Sequence, residues 1–261
     1  MRHARFFYRH ANHLTMKVTF LGTNGWFDTP AGNTVSVLIE SEEYDIILDA
    51  GNGIAKADRY IRQDKPAYLF LSHMHIDHIA GLHTLCKYRF RQELKVFTQE
   101  GTKGSLATFV AEPYTVPFAM LPFKNSVHEL GEGTHHLPFT VTCLPLVHPV
   151  PCFGYRVELD GKIITYCTDT GPCDNAVTLA RDADLLITEC GLKPGVTSPD
   201  WPHLNPEMAI AIARQAHAHR LALTHFGAEY RTLEERKALS VQFAREWPGL
   251  VAAMDDMTIE V

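Results

Sequence analysis

Seven residues, Ser72-His73-Met74-His75-Ile76-Asp77-His78, constrain this chain more than any other stretch. They set three imidazoles and a carboxylate directly after the apolar run Ala67-Tyr68-Leu69-Phe70-Leu71, which reads as a buried strand. Taking such groups out of water is costly unless something compensates. Imidazole nitrogen and carboxylate oxygen are the donors that suit zinc and similar divalent ions, so the cluster is read as a metal site. The chain must therefore fold so that the end of a strand delivers these side chains to one point.

Three downstream residues repeat the design. His148 follows a strand-like run at 140–147, Asp169 follows one at 162–168, and His225 follows one at 220–224. Alone, a histidine after a strand is more often a satisfied loop residue, and an aspartate before Thr-Gly-Pro is more often a turn former. Together they place ligand-type residues where successive strands leave a sheet. Seven such side chains exceed what one tetrahedral ion needs, so the set can hold two metals.

The 261 residues, 46% of them hydrophobic, can bury the core of one large domain or two small ones. No internal repeat, low-complexity run or flexible linker divides them, so residues 16–261 are read as one domain. Residues 1–15 are read as an N-terminal extension, because the apolar pattern opens at Met16-Lys17-Val18-Thr19-Phe20-Leu21. Strands are expected at 16–21, 35–40, 44–48, 67–71, 94–98, 126–130, 139–145, 153–159, 162–167, 184–189, 220–224 and 256–260. Asp160-Gly161 between two of them is a hairpin signal. Helices are expected at 52–64, 79–90, 102–111, 173–181, 205–217 and 232–246. The 205–217 helix has Asn205 as N-cap, Pro206 at N1 and Glu207 in its first turn. Early strands are hairpin-linked and later ones alternate with helices. The fold class is therefore α/β: two mixed sheets stacked face to face with helices on the outer faces, an αββα sandwich.

A balance of 24 basic and 30 acidic residues gives a net charge of −6, so nothing draws the whole chain to nucleic acid or anionic membrane. No apolar run approaches the roughly 18 residues of a membrane span. The first residues lack the apolar stretch of a secretory signal. Cys86, Cys143, Cys152, Cys167, Cys173 and Cys190 form no Cys-x-x-Cys pair and are read as reduced thiols of a cytoplasmic protein.

His73-x-His75-x-Asp77-His78 followed by His148, Asp169 and His225 resembles the ordered ligand set of the metallo-β-lactamase superfamily, over residues 16 to about 230. Asp49-Ala50-Gly51 resembles that family's Asp-x-Gly turn after its third strand. Three segments resemble its ribonuclease Z branch. They are His148-Pro149-Val150-Pro151-Cys152-Phe153-Gly154-Tyr155-Arg156, Asp169-Thr170-Gly171-Pro172-Cys173 and His203-Leu204-Asn205, the last followed by Leu223-Thr224-His225-Phe226. The resemblance implies the metallo-β-lactamase fold and a homodimer. It assigns His73, His75 and His148 to one metal and Asp77, His78 and His225 to the other, with Asp169 bridging. Zinc is the usual ion for that set, with manganese or iron as alternatives.

Two closely spaced ions share a hydroxide and stabilise charge on attacking and leaving oxygens. In the resembled branch Asp77 steers the proton of that water, and the residue matching His203 is the general acid that an alkoxide leaving group requires. Glu189 or Glu207 is expected to orient His203. The implied activity is that of a dinuclear metal-dependent phosphodiesterase.

One departure limits the resemblance. Ribonuclease Z enzymes insert a long Gly/Pro- and Lys-rich arm that grips tRNA before the Asp-Thr-Gly-Pro turn, whereas 20 residues separate His148 from Asp169 here. That argues against tRNA and for a small phosphodiester or a short nucleic-acid end. Lys87, Arg89, Arg91 and Lys95 read as a solvated helix face rather than a replacement grip. Trp26, Phe27 and Asn33 are expected at the rim of the site, and Trp201 is placed to pack on a base or sugar. The segment 112–123 is a pocket wall, a dimer contact or a packed loop. Two other readings stand beside the phosphodiesterase. One is a lactone or thioester hydrolase on the same ligands, though the 36 residues after His225 disfavour the type with a C-terminal helical domain. The other is a non-catalytic, metal-stabilised scaffold.

Overall fold

The computed structural model describes residues 16–261. The extension expected over 1–15 lies outside the described residues. The chain first lays down β1 (Lys17–Gly22), β2 (Ser36–Glu40), β3 (Asp45–Leu48), β4 (Ala67–Phe70), β5 (Leu94–Gln99) and β6 (Asn125–Leu130). It then builds β7 (Gly133–His136), β8 (Thr140–Pro145), β9 (Phe153–Leu159), β10 (Lys162–Cys167), β11 (Leu185–Cys190), β12 (Leu221–Phe226) and β13 (Val251–Ala252), before β14 (Met257–Glu260) returns to the first sheet.

The two sheets share one plan. The first has the order β14-β1-β2-β3-β4-β5-β6 and the second β13-β12-β11-β10-β9-β8-β7. In that order the first has three antiparallel pairings and then three parallel ones, and the second three parallel and then three antiparallel. Parallel strands point their C-terminal ends the same way, so loops leaving β4, β10, β11 and β12 can meet at one edge of the sandwich.

Alternation along the strands explains the layers, because successive side chains point to opposite faces. Ile46, Leu48, Tyr68 and Phe70 face the inter-sheet core together with Val157, Ile164, Tyr166 and Ile187. Ile47 and Leu69 face outward into a second core, and Leu186 and Leu223 into a third. The third is covered by α3 (Asp174–Ala180), α4 (Pro206–Gln215) and α5 (Leu233–Gln242), after α1 (Ile76–Ile79) and α2 (Lys103–Phe109) of the first half. This is the expected αββα sandwich.

Local signals hold where they rest on caps and turns. Asn205 Oδ1 accepts from Met208 N at 2.8 Å, with Pro206 at N1. Asp160 and Gly161 both take positive φ, 53° and 73°, as a two-residue hairpin requires. That hairpin joins β9 directly to β10. The helices expected at 52–64 and 79–90 are instead 3₁₀ segments, Asn52–Arg59 and Ala80–Lys87. Their leading amides are engaged elsewhere: Asn52 N donates to Thr34 Oγ1, Gly53 N to Thr34 O and Gly81 N to Ala50 O. The strand β7 was not expected. Its Gly-Thr-His-His sequence carries no apolar alternation, and β7 is held by pairing to β8. Among the described residues no helix is long and apolar enough to cross a membrane.

Candidate metal centre

All seven expected ligand residues converge at one edge of the sandwich. Ser72 and His73 leave β4 and are fully buried. His75 precedes α1, and Asp77 and His78 occupy its first turn. His148 lies between β8 and β9, Asp169 follows β10, and His225 is the penultimate residue of β12. Thus four strand ends supply the donors.

The donors form two groups that share one carboxylate. His73, His75, His148 and Asp169 form the first, and Asp77, His78 and His225 the second. In the second, His78 Nε2 and His225 Nε2 are 3.2 Å apart, and Asp77 Oδ2 is 3.5 Å and 3.3 Å from them. Asp169 Oδ1 closes the set at 3.2 Å from His78 and 3.1 Å from His225. Bonds of ~2.05 Å around a tetrahedral ion put its donors about 3.3 Å apart. His78, His225 and Asp77 therefore sit at the spacing a small divalent ion needs, with Asp169 Oδ1 equally close to both imidazoles. The first set is looser: His148 Nε2 is 3.2 Å from His75 Nδ1, while Asp169 Oδ2 is 3.8 Å from His73 Nε2 and 4.0 Å from His148 Nε2. Asp169 thus turns one oxygen to each group.

The unmet polar atoms point the same way. Among the described residues His73 Nε2 is buried without a hydrogen-bond partner, while its Nδ1 lies 3.0 Å from Ser72 Oγ. A buried, unpartnered nitrogen is costly unless a cation takes its lone pair. Burial pushes His73 well below the usual histidine range and His148 down to about 4, which keeps those imidazoles neutral. Burial alone would raise Asp77 and Asp169. The facing His78 and His225 outweigh it and hold both carboxyls well below their ordinary range.

Supporting residues orient the donors. Asp49 is fully buried and accepts from Ser72 N, Ser72 Oγ and Tyr166 Oη at 2.6, 2.8 and 2.8 Å. Its Oδ2 is also 2.8 Å from His78 Nδ1, which fixes the ring proton there and turns Nε2 to the cluster. The Trp26 amide donates to Asp77 Oδ2 at 2.7 Å. Asp49 was expected only as part of a turn, and the Trp26 amide was not expected at all. A backbone donor leaves no trace in residue identity.

A cavity of about 490 Å³ opens over the cluster. His75, Asp77, His148, Asp169, His203 and His225 line it, with Trp26 and Trp201. His203 Nδ1 is held by Glu189, at 2.7 and 2.9 Å from its two oxygens. Glu207 does not take this part; its Oε2 accepts from Gly195 N. Phe27 and Asn33 do not line the cavity, and Asn33 is tied to Asp28 and Asp255. Nor do Lys87, Arg89, Arg91 or Lys95. Lys87 pairs with Asp58, and Lys95 lies over the Tyr68 ring. The 112–123 segment packs Phe118 and Phe123 beneath the first sheet, away from the cavity. All six cysteines are free thiols, and Cys152 lies buried 3.7 Å from His73 Nδ1.

A four-layer αββα sandwich that gathers a His/Asp cluster at the ends of its strands defines a metallo-hydrolase of the metallo-β-lactamase fold. The chain belongs to the β-lactamase superfamily, whose domain model matches residues 44–226. Its relatives include the probable metallo-hydrolase YhfI of Bacillus subtilis, 29% identical over 232 residues, covering 86% of this chain and 93% of that protein. Ribonuclease BN of Cronobacter sakazakii is 28% identical, covering 94% and 100%. Ribonuclease Z of Bacillus licheniformis is 28% identical, covering 92% and 97%. The crystal structure of YhfI superposes with a TM-score of 0.76 at 25% identity, covering 95% of this chain and 100% of that one. Human short-form tRNase Z shares the fold at a TM-score of 0.74 and 24% identity, covering 93% and 98%. The two bacterial ribonuclease alignments run over 311 and 309 positions against a chain of 261, so those relatives carry segments that this chain lacks.

Proposed function

We propose that this chain is a metal-dependent phosphodiesterase acting on a small phosphodiester or a short nucleic-acid end. In this reading His73, His75 and His148 hold one divalent ion, Asp77, His78 and His225 hold a second, and Asp169 serves both. Zinc suits the imidazole-rich set, and manganese or iron can take the same donors. Bound there, the ions supply Lewis-acid charge for the phosphoryl oxygens and activate water near neutral pH.

The observation that carries the reading is the His203–Glu189 pair. His203 offers a ring nitrogen within 4.8 Å of donor atoms on Asp169 and His225, while Glu189 holds its Nδ1. Burial opposes protonation, but the Glu189 carboxylate outweighs it and pushes His203 up to about 9. Positive charge bound alongside lowers that value toward the working pH, where a general acid is most effective. An alkoxide needs that proton to leave, whereas a thiolate does not. Asp77 directs Oδ2 to the Trp26 amide and the cluster, which leaves Oδ1 to orient a water. The hairpin between β9 and β10 fills the interval where an RNA-gripping arm would sit, which favours a small substrate.

One observation favours a second reading, a lactone or thioester hydrolase: among the described residues no lysine or arginine lines the cavity. Turnover of bis-p-nitrophenyl phosphate, a lactone and a thioester by the metal-loaded protein separates the two. Cleavage of the phosphodiester alone is expected, and phosphodiester inactivity beside lactone or thioester turnover overturns the leading reading. An intact metal complement with no turnover of any ester would leave a non-catalytic scaffold. The reading also takes residues 16–261 as one hydrolase domain behind an extension, in a cytoplasmic homodimer. Native mass spectrometry checks the dimer.

A further inference from the structure

The walls of the cavity carry a second kind of information, because the groups that would hold a substrate beyond its reacting phosphoryl are unusual. Trp26 and Trp201 line the opening and remain 62% and 42% exposed. Leaving two large aromatic faces in water forfeits burial that a packed position would provide, so an exposed aromatic pair at a cavity mouth points to a ligand. Their ring centroids are 6.1 Å apart at an interplanar angle of 50°. A third ring sandwiched between them would need ~7 Å, twice the carbon–carbon contact distance. The two indoles therefore form one bent wall on which a flat ring lies, not a slot into which it slides.

That wall reaches the reacting groups. Trp201 stacks on His75, 6.3 Å between centroids and 12° between planes, and its ring is 6.4 Å from that of His203. The Trp26 amide donates to Asp77 Oδ2, so its backbone is fixed beside the same cluster. A planar group lying on the wall is thus within one sugar's length of a phosphoryl group over the donors.

The charges on the remaining lining narrow the choice. Among the described residues no lysine or arginine faces the cavity, and Glu229, exposed and without an ion pair, lines it. A second phosphate on the substrate would meet no cation beyond the metal cluster and would face this carboxylate. A sugar hydroxyl or an exocyclic amine would instead donate to it.

We propose that the substrate is a phosphodiester with a single phosphoryl group and one attached nucleoside, whose base lies on the Trp26–Trp201 wall, and that these two tryptophans determine specificity. This rests on the phosphodiesterase reading above. Stacking of a base on an aromatic side chain is worth about 1–3 kcal/mol, or roughly 5- to 150-fold in affinity.

The test uses two esters with the same leaving group, thymidine 5′-(p-nitrophenyl phosphate) and methyl p-nitrophenyl phosphate, on the metal-loaded enzyme. The nucleoside ester is expected to be favoured at least tenfold in kcat/KM through a lower KM. Trp26→Ala should abolish that preference, lowering kcat/KM for the nucleoside ester at least fivefold more than for the methyl ester, and Trp26→Phe should restore most of it. A parallel titration of thymidine 5′-monophosphate into the His203→Ala protein should quench tryptophan fluorescence, and addition of Trp26→Ala should weaken that binding at least fivefold. Equal turnover of both esters, or a preference that survives in Trp26→Ala, overturns the aromatic subsite and leaves the phosphodiesterase standing. Failure to cleave either ester overturns the phosphodiesterase, and the fluorescence titration then decides the subsite alone: Trp26-dependent quenching supports it, and its absence overturns it.

Discussion

Glu189 sets both of its carboxylate oxygens against one nitrogen of His203, at 2.7 and 2.9 Å from Nδ1. The carboxylate is fully buried and is itself pinned by the amides of Thr170 and Gly191, at 2.6 and 3.0 Å. It cannot turn away from the imidazole without abandoning both. The ring is therefore held in one orientation, with a proton on Nδ1 and Nε2 directed to the cavity.

Glu189→Gln is expected to move the alkaline limb of the pH–rate profile. His203 is raised above the ordinary histidine value, so the stabilisation from this pair is complete below about 6.5 and fades as pH rises through about 9. Removing the carboxylate lowers the folded value, and activity on an ester with an alkoxide leaving group should fall off at lower pH. His203→Ala should reduce that activity by roughly 10²- to 10⁴-fold while a p-nitrophenyl ester suffers much less. Profiles of kcat/KM for both leaving groups check this. Equal losses on the two esters would remove the acid role.

Asp49→Asn should loosen the metal centre with the fold retained. The single amide oxygen can still accept from Ser72 Oγ and Tyr166, at the expense of the bond from the Ser72 amide, but it no longer draws the proton of His78 Nδ1 as a charged acceptor. Losing such an outer partner typically costs about 10- to 100-fold in metal affinity. Chelator competition reads the affinity, and circular dichroism reads the fold.

Gly25→Ala should displace His225 through simple crowding. A Cβ at residue 25 would lie 2.5 Å from His225 Cε1, closer than any side-chain carbon tolerates. One equivalent of metal is expected to be lost, with at least a tenfold fall in activity. Gly104→Ala is the control, since a Cβ there meets nothing within 4 Å. Metal analysis of the two purified variants decides the matter; full occupancy in Gly25→Ala would refute it.

Asp45→Asn should stabilise the protein at alkaline pH. Burial pushes Asp45 up to about 6, against the opposing pull of Lys65, 3.7 Å away, and its Oδ2 has no partner among the described residues. The folded state thus holds the proton more tightly than the unfolded chain. The cost of the buried charge is absent below pH 4, grows between 4 and 6, and is complete above. A displacement of that size corresponds to roughly 3 kcal/mol as an upper value. Thermal unfolding at pH 8 and pH 4 should show a higher Tm for the variant only at pH 8.

What could be read from residues and what could not divide along physical lines. The His73–His78 cluster was legible because buried strands seldom end in four titratable groups. His148, Asp169 and His225 were legible because each repeats the same position after a strand. Of the two carboxylates expected near His203, Glu189 takes the part and Glu207 caps Gly195 instead. Local sequence places both within reach, and only the pairing of β11 with its neighbours chooses. The 3₁₀ segments escaped notice because tertiary acceptors, Thr34 and Ala50, capture the amides that an α-helix would use. Phe27 and Asn33 share a loop with Trp26 but not its direction.

Four residues around the cluster adopt left-handed backbone: Trp26 at φ 71°, Asp49 at 60°, Asp169 at 46° and His225 at 49°. Such conformations cost of order 1–3 kcal/mol for a residue with a side chain, and aspartate and asparagine bear them most easily. Their occurrence where β3, β10 and β12 give way to loops means that the chain bends sharply there, and the bend itself aims the side chain. An engineer transplanting the seven donors onto another sandwich would have to carry over these kinks as well. The same fact ranks the probes: asparagine at 49 or 169 removes charge and keeps the bend, whereas a β-branched residue would alter both, and its effect could not be assigned to either.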